Sequence, residues 1–156
     1  MVQQTTVVLV KPDGIQRGLV GEIIHRFERK GLKLSGLKML VLTDDILNQW
    51  YSHHKDKTFF GDLKSFMRWT PIVAIMWKGV DAIAAVRKIV GITKSREAEA
   101  GSIRGDFGMS GSQNIIHASD SPEAAEKELK LIFHSHEIFE YESGMDCLIY
   151  SKEELG

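Results

Sequence analysis

His117 and the residues around it are the side chains of this sequence best suited to chemistry. The apolar stretch 114–117 predicts a short buried strand that ends in an imidazole. Ser121 and Pro122 are typical of a helix N-terminus, so a helix is predicted to begin directly afterwards. On that helix Glu128 falls in the middle of the apolar face, away from the solvated charges. A carboxylate placed there needs a partner, because burying an unpaired charge is costly.

A histidine close to a buried carboxylate has two interpretations. Ser119 and His117 precede the helix that carries Glu128 and are the nearest candidate partners for its carboxylate. An imidazole that is held through one ring nitrogen keeps the other nitrogen free to act as a base or a nucleophile. The alternative is a core histidine that a structural glutamate satisfies, with no catalytic role. The stretch by itself leaves both interpretations open.

Three cationic side chains are predicted to lie at the ends of elements or in a loop. Lys11 directly follows an apolar strand, and the C-terminal ends of such strands commonly hold ligands in α/β sheets. Arg87 lies near the end of a helix, and Arg104 lies between two glycines in the irregular stretch 92–113, the kind of long loop that is usually functional. Each cation taken singly is best explained as a solvated surface charge, but their combination with His117 matters more. The sequence contains neither of the two glycine-rich motifs that commonly cradle nucleotides.

Apolar patterning predicts the elements that must position these residues. Strands are predicted at residues 5–10, 32–42, 72–77 and 114–117. Helices with an apolar inner face are predicted around Ile23 and Phe27, Leu47 and Trp50, Leu63 and Met67, Ile83 and Val90, and Ala125 and Ile132. The order β-α-β-(αα)-β-α-β-α is that of the ferredoxin-like split βαβ fold with an inserted helical hairpin. We therefore expect an α+β protein whose antiparallel sheet carries helices on one face.

Several local patterns are less regular. Lys11-Pro12-Asp13-Gly14 has the composition of a turn, and Lys78-Gly79 is expected to turn into the next helix. Residues 92–113 are predicted to form a loop, and residues 145–150 are compatible with a short strand. The tryptophans are most simply core or interface residues: Trp50, Trp69 and Trp77.

The composition limits the classes of protein that are possible. The chain has 156 residues, which predicts one domain over residues 1–156 with a core of its own. Its net charge of −1 argues against a protein whose affinity comes mainly from neutralising nucleic-acid phosphates. Cys147 is the single cysteine, so no intrachain disulfide can form. The sequence shows neither a signal-peptide pattern nor an apolar run of membrane-spanning length, so a cytoplasmic location is expected.

Several motifs together resemble one known family. They are, in order, Lys11-Pro12-Asp13-Gly14, Gln16-Arg17-Gly18-Leu19-Val20-Gly21, His54-Lys55, Phe59-Phe60, Ile103-Arg104-Gly105-Asp106-Phe107, Asn114-Ile115-Ile116-His117 and Ser119-Asp120-Ser121. Their order and spacing resemble the nucleoside diphosphate kinases from about residue 5 to residue 133. Each motif alone is weak evidence, whereas all of them in order are very specific.

The resemblance implies a fold, an activity and a role for each matching residue. The family has the ferredoxin-like fold and moves the γ-phosphoryl group of a nucleoside triphosphate to a nucleoside diphosphate, by a ping-pong mechanism through a phosphohistidine. The matching histidine is His117, Glu128 matches the carboxylate that orients it, and Ser119 matches the hydroxyl that bonds this carboxylate. The matches to groups around the phosphates are Lys11, Tyr51, Arg87, Thr93 and Arg104. The matches to nucleoside contacts are Phe59, on which the base stacks, Leu63, and Asn114, which with Lys11 contacts the ribose.

The resemblance also implies ligands and an assembly. The expected ligands are nucleoside tri- and diphosphates, and the expected assembly is a homo-oligomer, with the hexamer as the commonest form in the family. Asp120 lies where the family approaches Mg²⁺ through water, the ion being carried mainly by the nucleotide. Neither a membrane nor a nucleic acid is needed for the main function. The chain departs from the family pattern, without losing a named chemical group, at Thr58, Ser95, Ala100, Gly111 and Ala118.

Three other interpretations are weaker. An RNA-binding RRM domain shares the order of elements but needs an aromatic strand motif that this sequence lacks. A catalytically silent nucleotide-binding subunit of the same fold is hard to reconcile with His117 and the matching cations. A metal site built from His53-His54, or from His134 and His136, has no supporting pattern of cysteines or carboxylates.

Overall fold

One antiparallel sheet forms the centre of the protein. The computed structural model describes residues 3–155, and within them four strands pair in the order β2-β3-β1-β4. All three pairings are antiparallel. The strands are β1 (Gln3–Val10), β2 (Lys33–Leu40), β3 (Ile72–Val80) and β4 (Ile116–Ala118). β1 and β3 lie in the middle because their apolar, β-branched residues fit a strand buried on both faces.

Helices connect these strands in the predicted order. They are α1 (Pro12–Gln16), α2 (Val20–Lys30), α3 (Asp44–Trp50), α4 (Phe60–Met67), α5 (Ala82–Val90), α6 (Ile103–Phe107), α7 (Pro122–Ile132), α8 (Asp146–Ile149) and α9 (Lys152–Leu155). Gly31 ends α2 in the left-handed conformation with φ 95°, as its position in the sequence predicts. α3 and α4 are the hairpin inserted between β2 and β3. The ferredoxin-like α+β fold is therefore confirmed.

Helices cover both faces of the sheet, so the prediction of a single covered face is wrong. Val8 and Val10 point into one core, which α2 and α5 close. Val7 and Leu9 alternate with them and point into a second core, which α3, α4 and α7 close. Successive residues of a strand face opposite ways, and β1 is apolar at all four positions. The inserted hairpin and α7 therefore cover the face that would otherwise be exposed.

Four local predictions also need correction. The predicted turn after β1 is the helix α1, and Lys78-Gly79 continues β3 as far as Val80. The predicted loop 92–113 contains α6, which Ser102 caps by accepting a hydrogen bond from the Gly105 N–H at 3.0 Å. Residues 145–150 contain the helix α8 where a strand was predicted. The three helices α1, α6 and α8 are a turn or two long, so apolar periodicity carries little signal for them.

The segment that follows α7 runs along the outer edge of β2. The Phe139 N–H donates to the Ser35 carbonyl at 2.8 Å, which adds a sheet-like hydrogen bond to this edge. Lys38 pairs with Glu137 at 2.6 Å and Lys78 pairs with Glu140 at 2.8 Å. Backbone and charge contacts thus fasten this segment to the sheet.

Across residues 3–155 the structure has no helix of the length and apolarity that a bilayer crossing requires. One domain over residues 1–156 and a cytoplasmic location stay predictions.

Candidate active site

A cleft of about 1000 Å³ brings together the residues predicted from separate parts of the sequence. Its wall combines side chains from the β1–α1 junction, the α3–α4 hairpin, α5, the segment around α6, β4 and α7. The predicted residues that line it are Lys11, Tyr51, Phe59, Leu63, Arg87, Thr93, Arg104, Asn114, His117, Asp120 and Glu128. Ser119 lies behind this wall and is fully buried.

His117 is held by a relay of hydrogen bonds that starts at the sheet. Its Nε2 lies 2.9 Å from Oε1 of Glu128, and the Ser119 hydroxyl donates to the other carboxylate oxygen at 2.6 Å. The Val7 N–H donates to the Ser119 oxygen at 3.1 Å. A carboxylate can only accept, so in the neutral imidazole Nε2 carries the proton and Nδ1 keeps its lone pair. His117 lines a cleft and is not enclosed in the core, which favours a chemical over a structural role for the pair.

Local sequence explains why Glu128 points at His117. Ser121 caps α7 by accepting from the Ala124 N–H at 3.1 Å, and Pro122 occupies the first turn. This start fixes the phase of the helix, so that Glu128 shares the buried side with Ala125 and Ile132. Glu128 is 9% exposed, as the apolar pattern around it predicts. Its two oxygens are both hydrogen-bonded, which offsets the cost of burial.

Lys11 and Asn114 are joined directly. The Lys11 ammonium donates to Oδ1 of Asn114 at 2.7 Å and to the Ser112 carbonyl at 3.3 Å. The Asn114 amide nitrogen donates to the carbonyls of Thr93 and Gly111. Burial, and next the nearby Arg104 charge, lower the pKa of Lys11 to about 8. An anion that enters the cleft would therefore stabilise the charged form of Lys11.

Arg104 is built into the wall by backbone carbonyls. Its guanidinium donates to Gly91 at 3.0 Å, Ile116 at 2.6 Å and Asn114 at 3.3 Å. Burial, and next the charge of Arg87, lower the pKa of Arg104 to about 10. Carbonyl dipoles do not neutralise a cation, so the wall keeps concentrated positive charge, which favours a polyanionic ligand.

Aromatic and imidazole rings form another part of the cleft wall. The ring of Tyr51 stacks beside His54 at 6.2 Å, and His54 meets Phe59 edge to face at 5.3 Å. Burial, and next the Glu128 charge, raise the pKa of Tyr51, so its hydroxyl stays protonated near neutral pH. Phe59 is 46% exposed, which leaves its ring open to a flat ligand.

Trp50 is a site residue that sequence reasoning missed. Its interpretation as a core or interface residue is correct for burial, since it is 7% exposed. However, its ring also meets that of His117 at 5.1 Å and an interplanar angle of 72°. Its place next to Tyr51 is the one signal in the sequence that could have indicated this.

Ile115 connects the cleft to α1 through a strained backbone. It has φ 72°, which β-branched residues rarely adopt, so β4 begins only at Ile116 and not at Asn114. The Asp13 carboxylate accepts from the Ile115 N–H at 2.9 Å, and the Lys11 N–H donates to the Ile115 carbonyl at 2.8 Å. Strain of this kind persists where surrounding structure enforces it, often at functional sites.

Sequence comparison identifies the family. A sequence model described as nucleoside diphosphate kinase matches residues 4–138. This chain belongs to the nucleoside diphosphate kinase family. It is 50% identical to the nucleoside diphosphate kinase of Parabacteroides distasonis, over 97% of this chain and 99% of that relative. It is 52% identical to the enzyme of Staphylothermus marinus, over 88% and 98% of the two chains.

Solved structures of nucleoside diphosphate kinases agree with this fold. The halophilic enzyme of Halobacterium salinarum in complex with CDP aligns with a TM-score of 0.93 at 39% identity, covering 96% of this chain and 100% of that one. A family protein from Babesia bovis aligns with a TM-score of 0.92 at 46% identity, over 94% and 99%. These relatives of nearly the same length are nucleoside diphosphate kinases or members of that family, which confirms the predicted family and enzyme class.

A metal ion in this cleft would have few protein ligands. The described residues contain no group of three or more histidine, cysteine, aspartate or glutamate side chains that could hold an ion. Asp120 nevertheless lines the cleft and offers one carboxylate. Mg²⁺ commonly keeps several waters and binds through one or two carboxylates plus substrate phosphates. The donor set therefore fits a Mg²⁺ ion that a nucleotide brings with it.

Proposed function

We propose that this enzyme transfers the γ-phosphoryl group of a nucleoside triphosphate to a nucleoside diphosphate through a phosphohistidine at His117. The observation that carries the proposal is the hydrogen bond between Nε2 of His117 and Glu128. The cleft around it also contains Lys11, Arg87 and Arg104. The hydrogen bond leaves the Nδ1 lone pair as the nucleophile. Ser119 donates to Glu128 and thereby keeps the carboxylate in place.

In each half-reaction of the transfer, one bond forms and one bond breaks. Nδ1 of His117 bonds to the γ-phosphorus, and the bond from that phosphorus to the oxygen bridging to the β-phosphate breaks. The electron pair of this bond leaves with the nucleoside diphosphate, while the Nε2 proton stays hydrogen-bonded to Glu128. A second nucleoside diphosphate then reverses these steps and takes the phosphoryl group.

The cations of the cleft stabilise the phosphates during this transfer. Phosphoryl transfer depends mainly on positioning and charge neutralisation, because the protein has little other covalent work to do. Arg87 and Arg104 supply guanidinium groups and Lys11 a compact charge. Tyr51 and Thr93 contribute polar groups near the same phosphates. Asn114 and Lys11, which already bond each other, contact the ribose.

A base that lies on Phe59 explains a broad choice of nucleotide. Stacking on an aromatic ring uses the face that every base has, so it tolerates many bases. Leu63 also lines the cleft. The relative from Halobacterium salinarum was solved with CDP, which supports a pyrimidine nucleotide as one ligand of this site.

We also infer that Asp120 approaches Mg²⁺ through water. When bound with the nucleotide, the ion supplies charge neutralisation on the phosphate oxygens. The carboxylate of Asp120 orients water on one side of the cleft. A homo-oligomer, with the hexamer as the expected assembly, and a cytoplasmic location complete the proposal.

Intact mass measurement tests the proposal directly. The purified protein is mixed with ATP and Mg²⁺, and GDP is added afterwards. We expect a gain of one acid-labile phosphoryl group, its loss when GDP arrives, and no gain in His117→Ala. A folded wild-type sample that gains nothing, under conditions that label a known family enzyme, would indicate the alternative of a catalytically silent nucleotide-binding subunit.

A further inference from the structure

The imidazole of His117 has two neighbours that constrain it, and the proposed mechanism uses only one. Glu128 holds the ring at a single point, Nε2. A hydrogen bond at one point tolerates tilting of the donor ring by tens of degrees. The second neighbour is the indole of Trp50, whose ring centre lies 5.1 Å from that of His117 at 72°. This is the edge-to-face arrangement that aromatic pairs prefer.

Trp50 itself has little freedom to move. It is buried in the core under one face of the sheet, together with Leu47, Met67 and Ile132. Its helix, α3, begins at the Thr43 cap, where the hydroxyl accepts from the Ile46 N–H. The indole is therefore a fixed surface against which the imidazole rests.

We propose that Trp50 is a positioning residue that holds the His117 ring plane in the orientation needed for phosphorylation. This inference rests on the proposed phosphohistidine. With Nε2 fixed by Glu128, the remaining motion of the ring is rotation about the Cβ–Cγ bond, and the indole blocks that rotation on one side. Nδ1 then points in one direction when the γ-phosphorus arrives.

Two variants test whether an aromatic ring is needed at position 50. Trp50→Leu keeps an apolar side chain but removes the ring, and Trp50→Phe keeps a ring edge. The matched control is Trp69→Leu, because Trp69 is 62% exposed and does not line the cleft. Urea unfolding of all three establishes that they fold.

Single-turnover phosphorylation by ATP is the main measurement. We expect Trp50→Leu to slow it on the order of 10²-fold, as a misplaced reacting group does, with little change in the ATP concentration that gives half the maximal rate. Trp50→Phe should recover most of the rate, and Trp69→Leu should match the wild type. Because phenylalanine also fills more volume than leucine, rates that simply follow the free energies of unfolding of the variants would indicate a loss of packing and contradict the positioning role.

Tryptophan fluorescence gives an independent readout. The chain has three tryptophans, and Trp77 lies in the other core against Phe27 at 5.3 Å. A change of emission on phosphorylation should therefore come from Trp50. We expect it to reverse on addition of GDP, to persist in Trp69→Phe and to vanish in Trp50→Phe.

The outcomes separate this inference from the function on which it rests. If folded Trp50→Leu is phosphorylated as fast as Trp69→Leu, or if Trp50→Phe is as slow as Trp50→Leu, the positioning role is wrong while the kinase stands. An emission change that persists in Trp50→Phe also contradicts the inference. If the wild type and Trp69→Leu take up no phosphoryl group at all, the proposed function itself fails.

Discussion

At the scale of single residues, the polar groups that stabilise the wall of the cleft are also the groups proposed to bind the nucleotide. Arg104 donates to three backbone carbonyls and still carries its charge into the cleft. Lys11 and Asn114 bond each other at the place where a ribose is proposed to lie. Such groups are preorganised, since a ligand does not have to order them.

Replacing Glu128 tests the relay behind the histidine. Glu128→Gln has the same shape, but its amide can present a donor to Nε2 and so favour the wrong tautomer of His117. By analogy with carboxylates that orient catalytic histidines, we expect phosphorylation to slow on the order of 10²–10⁴-fold. The control is Glu126→Gln, on the exposed side of the same helix. Single-turnover rates of phosphorylation are measured for both variants. Equal rates would mean that Glu128 has only a structural role.

The lowered pKa of Lys11 predicts a pH dependence of nucleotide binding. In the free enzyme the pKa is about 8, so the ammonium is charged below that pH and loses its proton above it. Phosphates favour the charged form, so affinity for ADP should fall as pH rises through 8. Calorimetric titration of wild type and Lys11→Met from pH 6.5 to 9.5 measures this. The difference in ADP affinity between the wild type and Lys11→Met should shrink as the pH rises. A difference that stays constant would contradict the lowered pKa of Lys11.

At the scale of elements, α1 and the start of β4 form one joint. The strained Ile115 is held from two sides by residues that flank the beginning of α1. Gly14 lies in this joint without a side chain. A Cβ there would stand 2.8 Å from Cγ1 of Val10 and 3.0 Å from the Ile115 oxygen.

A pair of glycine variants tests the joint. Gly14→Ala should lower the free energy of unfolding by about 1–3 kcal/mol, because a backbone oxygen cannot move aside without shifting β4. Phosphorylation of His117 should slow as well. Gly21→Ala, at an open position in α2 with nothing within 4 Å, should instead raise the free energy of unfolding by about 0.5 kcal/mol. Chemical denaturation measures both, and two equal shifts would mean that the joint is not tight.

The long elements and the type of chemistry could be predicted from the sequence. The short elements and the packing between distant segments could not. β3, α2 and α5 have many apolar residues at regular spacing, so their existence and type were predictable. α6 and α8 have one turn each, where capping and tertiary contacts decide the conformation. The contact between Trp50 and His117 joins residues far apart in the chain, and no local pattern encodes it.

At the scale of the whole molecule, the outer edge of β2 is only partly covered. The segment after α7 bonds Ser35 of this strand, but apolar side chains farther along remain exposed: Leu37, Met39 and Val41. An edge strand with exposed apolar side chains is suited to pairing with another chain. This surface supports the proposed homo-oligomer.

A charge at this edge tests the assembly. Met39 is 60% exposed, so Met39→Glu should be harmless to an isolated chain but should weaken an interface that buries it. We expect native mass spectrometry to show smaller assemblies for Met39→Glu than for the wild type. The control Lys130→Glu places a carboxylate on the exposed side of α7. Identical mass distributions for Met39→Glu and the wild type would mean that the interface lies elsewhere.

The proposed use of one cleft by both nucleotides has a consequence for the nucleotide pools that the enzyme meets. In the proposed mechanism, donor and acceptor occupy the same space in turn, and the phosphorylated ring of His117 is the same whichever nucleotide supplied the group. The protein therefore cannot impose a direction on the exchange. Concentrations alone set it, and the net flow ends when every pool has the same ratio of triphosphate to diphosphate. Such an enzyme would equalise phosphorylation across nucleotides without any sensor of demand.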